Sequence, residues 1–154
     1  VGEDRQAMLA TTEFTATLLP EDRIRYFMGI GDPEGLIEVI ARGIDIFDCV
    51  LPTRTARMGT AFTREGKLNL RNAEHALSSE PLEEGCPCSA CGGGFTRGAL
   101  RHFVMQKEIL GLMLLTEHNL VFLTRLVQEA REAILAGTFS TFRGQWHARA
   151  DYTP

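Results

Sequence analysis

Three cysteines within six residues constrain this chain more than any other feature of its sequence. They form the pattern C-x-C-x-x-C from Cys86 to Cys91, and thiolates this close on one turn can occupy one face of a tetrahedral zinc site. The fourth ligand would be His118, after 26 intervening residues, or His102, after 10. With four protein ligands no position is open to water, so such a zinc ion is structural. The alternative is three ordinary cysteines in a loop, with one disulfide at most.

The rest of the composition is that of an ordinary globular protein. Hydrophobic residues make up 44% of the 154 residues and charged residues 23%, which argues against disorder. No apolar run approaches the roughly 20 residues that a membrane span needs. The four cysteines do not indicate a disulfide-rich secreted scaffold, and Cys49 lies in an apolar run where we expect a core residue. We therefore expect a cytoplasmic protein without a membrane partner.

The first fifty residues alternate between strand and helix patterns. The apolar run 24–30 is rich in aromatic and β-branched residues and predicts a buried strand. Pro33 and Gly43 suit the first turn and the end of a helix, and a second apolar run, 44–51, ends at Pro52. A strand, a helix and a strand predict a parallel pair and an α/β architecture. Two strands cannot close a sheet, so this region is expected to belong to a larger barrel or doubly wound domain.

The second half of the chain has a different pattern of polar and apolar residues. Residues 53–72 are polar, basic and punctuated by glycine, with possible hairpin strands at 60–63 and 67–70. From residue 98 to about 137 the apolar residues recur at helical spacing, with a break expected near 116–119. The sequence therefore predicts a small hairpin followed by long helices.

A carboxylate stands out in the second predicted strand. Alternation along the strand places Asp48 on the same face as Ile46 and Val50. A carboxylate among β-branched residues is costly unless it has a partner or a function, and in a parallel barrel the carboxyl ends of the strands form the active-site face. Asp48 is thus either a capped or ion-paired residue or a catalytic one.

Charge is unevenly distributed along the chain. The net charge is −4, which by itself predicts no nucleic-acid partner, and residues 1–52 carry ten acidic and four basic side chains. Residues 53–72, however, carry five basic side chains and one acidic side chain. Phosphate contacts depend on the local density of Lys and Arg. This stretch is either a solvated basic loop or a surface that contacts phosphates.

Four segments of the chain together resemble bacterial tRNA-guanine transglycosylases. They are the run RYFMGIG at 25–31, the run RGIDIFDCVLPTR at 42–54, the cysteine cluster and the run TEHNL at 116–120. The resemblance extends from Val1 to about Arg149. It implies the C-terminal part of a (β/α)₈ TIM-type barrel with a zinc-binding subdomain and C-terminal helices. The implied divisions are a barrel portion at 1–72, a zinc-binding subdomain at 73–120, and a C-terminal helix and tail at 121–154.

The resemblance also implies a pentosyltransferase reaction. Asp48 matches the nucleophile that attacks the ribose of the wobble guanosine of tRNA and holds a covalent ribosyl intermediate. A 7-deazaguanine base then displaces the aspartate, a step in queuosine biosynthesis that parallels a retaining glycosidase. Tyr26 and Met28 match residues that flank the base, and Glu3 matches an acid near the base pocket.

The remaining implied roles concern RNA, metal and assembly. Arg54 and Arg57 match positions that face the anticodon loop of tRNA, and a homodimer is expected. The matching zinc ligands are Cys86, Cys88, Cys91 and His118. Other acidic residues of the family match positions upstream of Val1, so we expect this chain alone to be inactive in base exchange. The competing hypothesis is a non-catalytic, zinc-stabilised module that contributes tRNA binding or dimerisation.

Overall fold

A computed structural model describes residues 4–149 of the chain. It divides the chain into two compact units, Val1–Val50 and Leu51–Pro154. The expected division into a barrel portion at 1–72, a zinc-binding subdomain at 73–120, and a C-terminal helix and tail at 121–154 stays a prediction.

The first unit contains the predicted strand–helix–strand arrangement, preceded by a helix. Its elements are α1 (Arg5–Leu18), β1 (Tyr26–Met28), α2 (Pro33–Ile40) and β2 (Ile46–Asp48). The two strands are parallel, with Tyr26 opposite Ile46 and Met28 opposite Asp48. The prediction of a parallel pair is confirmed, although each strand is shorter than the apolar run that predicted it.

Local chemistry fixes the ends of α2. The Asp32 side chain accepts a hydrogen bond from the backbone N–H of Gly35, and Pro33 occupies the first turn, where its missing N–H costs nothing. Gly43 has a φ of +83°, a conformation that glycine adopts without strain. Helix α2 is largely buried, and its residues Ile37 and Val39 are fully buried.

The second unit is built around one long helix and a hairpin. Its elements are α3 (Leu51–Arg57), β3 (Thr60–Thr63), β4 (Gly66–Asn69), a 3₁₀ turn (Ala73–His75), α4 (Ser89–Gly92), α5 (Arg97–Gln106), α6 (Ile109–Leu135) and α7 (Phe139–Arg149). The hairpin strands are antiparallel, with Thr60 opposite Asn69. This confirms the predicted hairpin. Helix α6 contacts α3, α4, α5, α7 and β3, so it forms the centre of this unit.

Two details of the predicted secondary structure are wrong. Pro52 does not end a strand: β2 ends at Asp48, and Pro52 lies in the first turn of α3, a position that proline tolerates. The break expected near 116–119 lies instead at Lys107, whose φ of 60° ends α5. Helix α6 continues through 116–119, where the Thr116 hydroxyl donates to the carbonyl of Leu112 one turn earlier.

Helix α6 is also long and apolar enough, by length and composition alone, to cross a membrane. Its apolar side is occupied by the packing of the second unit: Leu115, Leu126 and Ala130 are almost fully buried. Two polar side chains on the same helix, His118 and Asn119, are fully buried as well. These contacts are those of a core helix.

Leucines on opposite sides of α6 allow a direct test of this packing. Leu115 is fully buried and Leu120 is 46% exposed. We expect Leu115→Ala to lower the free energy of unfolding by about 2–5 kcal/mol, because it removes buried methyl groups and leaves a cavity. The matched control Leu120→Ala should cost less than about 1 kcal/mol. Urea unfolding of the zinc-loaded protein measures both, and equal losses would contradict the placement of α6.

Candidate functional site

The three clustered cysteines and His118 meet at one point of the second unit. Cys86 and Cys88 precede α4, Cys91 lies within it, and His118 projects from α6. The four ligand atoms all lie within 4.8 Å of one another. The distances from His118 Nδ1 to the sulfurs of Cys86, Cys88 and Cys91 are 3.7, 3.3 and 3.7 Å. Tetrahedral zinc with ordinary bond lengths separates nitrogen and sulfur ligands by about 3.6 Å, so the arrangement fits zinc.

A hydrogen bond from Nε2 of His118 orients the ring so that Nδ1 faces the three sulfurs. Nε2 lies 2.8 Å from the carbonyl oxygen of Phe62 in β3, and the ring is fully buried. A backbone carbonyl can only accept, so Nε2 carries the proton and Nδ1 presents its lone pair to the sulfurs. The backbone N–H of Cys91 also donates to the sulfur of Cys88, at 3.4 Å. These bonds prepare the site for a cation.

The surroundings raise the pKa of two of the thiols and lower the pKa of the third. Burial raises the pKa of Cys86. A hydrogen bond to Cys91, together with burial, raises the pKa of Cys88 to about 11. The same hydrogen bond from Cys88 lowers the pKa of Cys91. Metal binding therefore has to release protons from at least two thiols near neutral pH, and the affinity for metal falls as the pH falls.

The other candidate ligands lie outside this cluster. His102 is exposed on α5, with its ring centroid 6.2 Å from that of Phe103. Cys49 is half-buried rather than part of the core, and it belongs to the other compact unit. Of the two histidines that the spacing left open, the structure therefore brings His118 to the cysteines.

Sequence reasoning missed Asn119, the neighbour of His118. Its Oδ1 accepts a hydrogen bond from the backbone N–H of Phe62 at 2.9 Å. Its Nδ2 donates to the carbonyls of Pro52, at 3.0 Å, and Thr60, at 3.1 Å. Asn119 is fully buried, so one side chain joins α6 to both α3 and β3.

A signal for Asn119 was present in the sequence. The residue lies at helical spacing from Leu115, Phe122 and Leu126, which form the buried side of α6. An asparagine in an apolar stripe must satisfy its amide inside the protein. The pattern therefore identifies a buried polar residue, although it does not identify the partners.

The carboxylate of Asp48 lies on an exposed face at the end of β2. The hydroxyl of Tyr26 donates to Asp48 Oδ1 at 2.5 Å, and this hydrogen bond raises the pKa of Tyr26. Met28 is directly opposite Asp48 in the parallel pair and is 70% exposed. Asp48 forms no ion pair with any other residue in the range 4–149. Tyr26, Met28 and Asp48 therefore share one open face.

The remaining sequence candidates are two arginines and a glutamate. Arg54 and Arg57 are exposed in the last turn of α3, and neither pairs with a carboxylate in the described part of the chain. Glu3 lies outside the described residues.

Comparison with known proteins identifies the family to which the chain belongs. The family model described as queuine tRNA-ribosyltransferase matches residues 1–152. The chain belongs to this family. This confirms the family resemblance, and the Cys₃His cluster gives this family member a site that suits structural zinc.

Curated relatives carrying the same name, queuine tRNA-ribosyltransferase, come from several bacteria. The protein of Symbiobacterium thermophilum is 50% identical over 152 residues, which cover 96% of this chain and 38% of the relative. The protein of Herpetosiphon aurantiacus is 47% identical over 100% of this chain and 39% of the relative. The protein of Bacillus subtilis is 45% identical over 99% of this chain and 40% of the relative. The chain thus spans about two fifths of the length of these family members.

The metal centre predicts a clear difference between the two histidines. We expect one zinc ion per chain, and we expect His118→Ala to lose it because the tetrahedron then lacks its nitrogen ligand. The matched control His102→Ala should retain the metal. Metal analysis of the purified variants measures both. Zinc retained in His118→Ala and lost in His102→Ala would show that the wrong histidine has been identified.

Proposed function

We propose that this chain carries the nucleophile and the zinc centre of a tRNA-guanine transglycosylase. That enzyme exchanges the wobble guanine of tRNA for a 7-deazaguanine base in queuosine biosynthesis. The observation that supports this best is the Asp48 carboxylate, which lies at the carboxyl end of a parallel strand on the same open face as Tyr26 and Met28. Membership of the queuine tRNA-ribosyltransferase family supplies the reaction class.

The proposed chemistry is a double displacement at the ribose. Asp48 attacks the anomeric carbon, an ester bond to the ribose forms, and the bond to the guanine nitrogen breaks with protonation of the leaving base. The incoming base then gives up its proton, forms the new carbon–nitrogen bond and releases the carboxylate. Two inversions retain the original configuration, as in retaining glycosidases.

Tyr26 is suited to orient the nucleophile. Its hydroxyl bonds to only one oxygen of Asp48, Oδ1, so Oδ2 remains available for attack. The hydrogen bond therefore fixes the direction in which the carboxylate faces.

The same face offers apolar surface for a planar base. Tyr26, Met28 and Ile46 are 52%, 70% and 50% exposed, and they surround Asp48 in the register of the two strands. An aromatic ring and a polarisable thioether both pack well against a purine-like ring. We assign Tyr26 and Met28 to base binding, and Glu3 to the same pocket on the strength of the family resemblance.

The RNA-binding and structural roles belong to the second unit. Arg54 and Arg57 are exposed cations at the end of α3 and are proposed to contact the anticodon loop, where guanidinium groups pair well with phosphates. The zinc ion, held by four protein ligands, supplies folding free energy and takes no part in the displacement.

The wider architecture of the proposal follows from the family. It comprises a (β/α)₈ barrel to which residues 1–72 contribute, a zinc-binding subdomain at 73–120, and a C-terminal helix and tail at 121–154. We further propose that the protein is a homodimer, that it is cytoplasmic, and that it has no membrane partner. The parallel pair of β1 and β2 supports the barrel, since parallel strands with a connecting helix are its repeating unit.

The nucleophile can be tested in the whole protein that contains this chain. Asp48→Asn should abolish the covalent tRNA adduct seen on a denaturing gel, because an amide is a very poor nucleophile. Zinc content and melting temperature should not change, since the two side chains are nearly isosteric. The matched control Asp22→Asn, on the exposed loop before β1, should form the adduct normally. An adduct that persists in Asp48→Asn would refute the assignment.

A further inference from the structure

Two arginines outside the family motifs are anchored beside the end of α3. The Nε of Arg71 donates to the carbonyl of Met58 at 3.0 Å, and Met58 directly follows the last residue of α3. The Nε of Arg101, on α5, donates to the carbonyl of Asn72 at 2.9 Å. Each guanidinium is therefore held by a neutral backbone group.

Gly59 shows how closely these segments approach. Its φ is +85°, and a Cβ at this position would lie 2.8 Å from Val104 of α5 and 3.4 Å from Arg71. The backbone N–H of Leu70 also donates to the carbonyl of Gly59 at 2.9 Å. Val104 and Arg101 are one turn apart on α5. The end of α3, the segment after β4 and α5 therefore pack together, and Arg71 is exposed beside this contact.

Positive charge at this place is not compensated. Arg54, Arg57, Arg71 and Arg101 form no ion pair with a carboxylate in the described part of the chain. The acidic residue nearest to Arg71 in the sequence, Glu74, instead contacts the amide of Asn72 and the ring of His75. The terminal nitrogens of Arg71 and Arg101 keep their N–H donors for a ligand.

We propose that Arg71 and Arg101 extend Arg54 and Arg57 into one surface, the arginine strip, that binds the sugar–phosphate backbone of RNA. A guanidinium presents parallel N–H donors that match two phosphate oxygens. The bonds from Nε to the backbone fix each side chain beforehand, which reduces the entropy lost on binding. Contacts of this kind position an RNA without reading its sequence.

This inference rests on the proposed function, because it takes RNA as the ligand. The probe is an unmodified tRNA transcript with guanosine at the wobble position, and its binding to the whole protein is measured as a function of salt. We expect Arg71→Gln and Arg101→Gln each to weaken binding about fivefold at 0.1 M salt. Each should also reduce the slope of log K against log salt by about 0.7–0.9. A transcript with adenosine at the wobble position should show the same losses.

Two further variants separate charge from folding. Arg131→Gln removes an exposed arginine from the C-terminal half of α6 and should leave the affinity and the slope unchanged. Arg71→Lys keeps the charge but cannot form the Nε bond, so it should keep most of the slope. If Arg71→Lys lost as much of the slope as Arg71→Gln at an unchanged melting temperature, the charge of Arg71 would not be what binds RNA.

The remaining outcomes distinguish this inference from the proposed function. Unchanged slopes in Arg71→Gln and Arg101→Gln, with reduced slopes in Arg54→Gln and Arg57→Gln, would overturn the arginine strip and leave the proposed function standing. A whole protein without substitutions that shows no measurable binding to the tRNA would overturn both.

Discussion

Two consecutive side chains of α6 hold both backbone polar groups of one residue in the hairpin. His118 donates to the carbonyl of Phe62, and Asn119 accepts from its N–H. All three residues are almost completely shielded from solvent, so water cannot replace either bond. Leaving one such group unsatisfied costs about 1–3 kcal/mol. The hairpin therefore cannot shift along α6 by even one residue without losing both bonds.

This arrangement connects the metal centre to the helix that carries Arg54 and Arg57. The other ring nitrogen of His118 faces the three sulfurs, and the amide of Asn119 donates to Pro52 in the first turn of α3. Metal ligation, hairpin register and the start of α3 thus depend on neighbouring positions of a single helix. A structural zinc ion at this place stabilises the surface proposed to bind RNA as well as its own loop.

The sequence predicts the parts of this arrangement that depend on chemistry between near neighbours, and misses those that depend on distant contacts. Three thiolates within six residues indicate zinc without any knowledge of the fold. The choice of His118 over His102, in contrast, requires the path of α5 and α6. The chain turns at Lys107, which has a left-handed backbone conformation. No local sequence pattern predicts this turn. The partners of Asn119 lie 57 to 67 residues away, so the sequence shows that they are needed but not where they are.

Hydrogen exchange at the backbone amide of Phe62 tests the central claim most directly. If the two side chains of α6 anchor the hairpin, this amide is strongly protected in the zinc-loaded protein. Its exchange should then accelerate in Asn119→Ala and after zinc removal, while the amide of Ile37, buried in the other unit, keeps its rate. An exchange rate at Phe62 that is the same in all three samples would contradict the account.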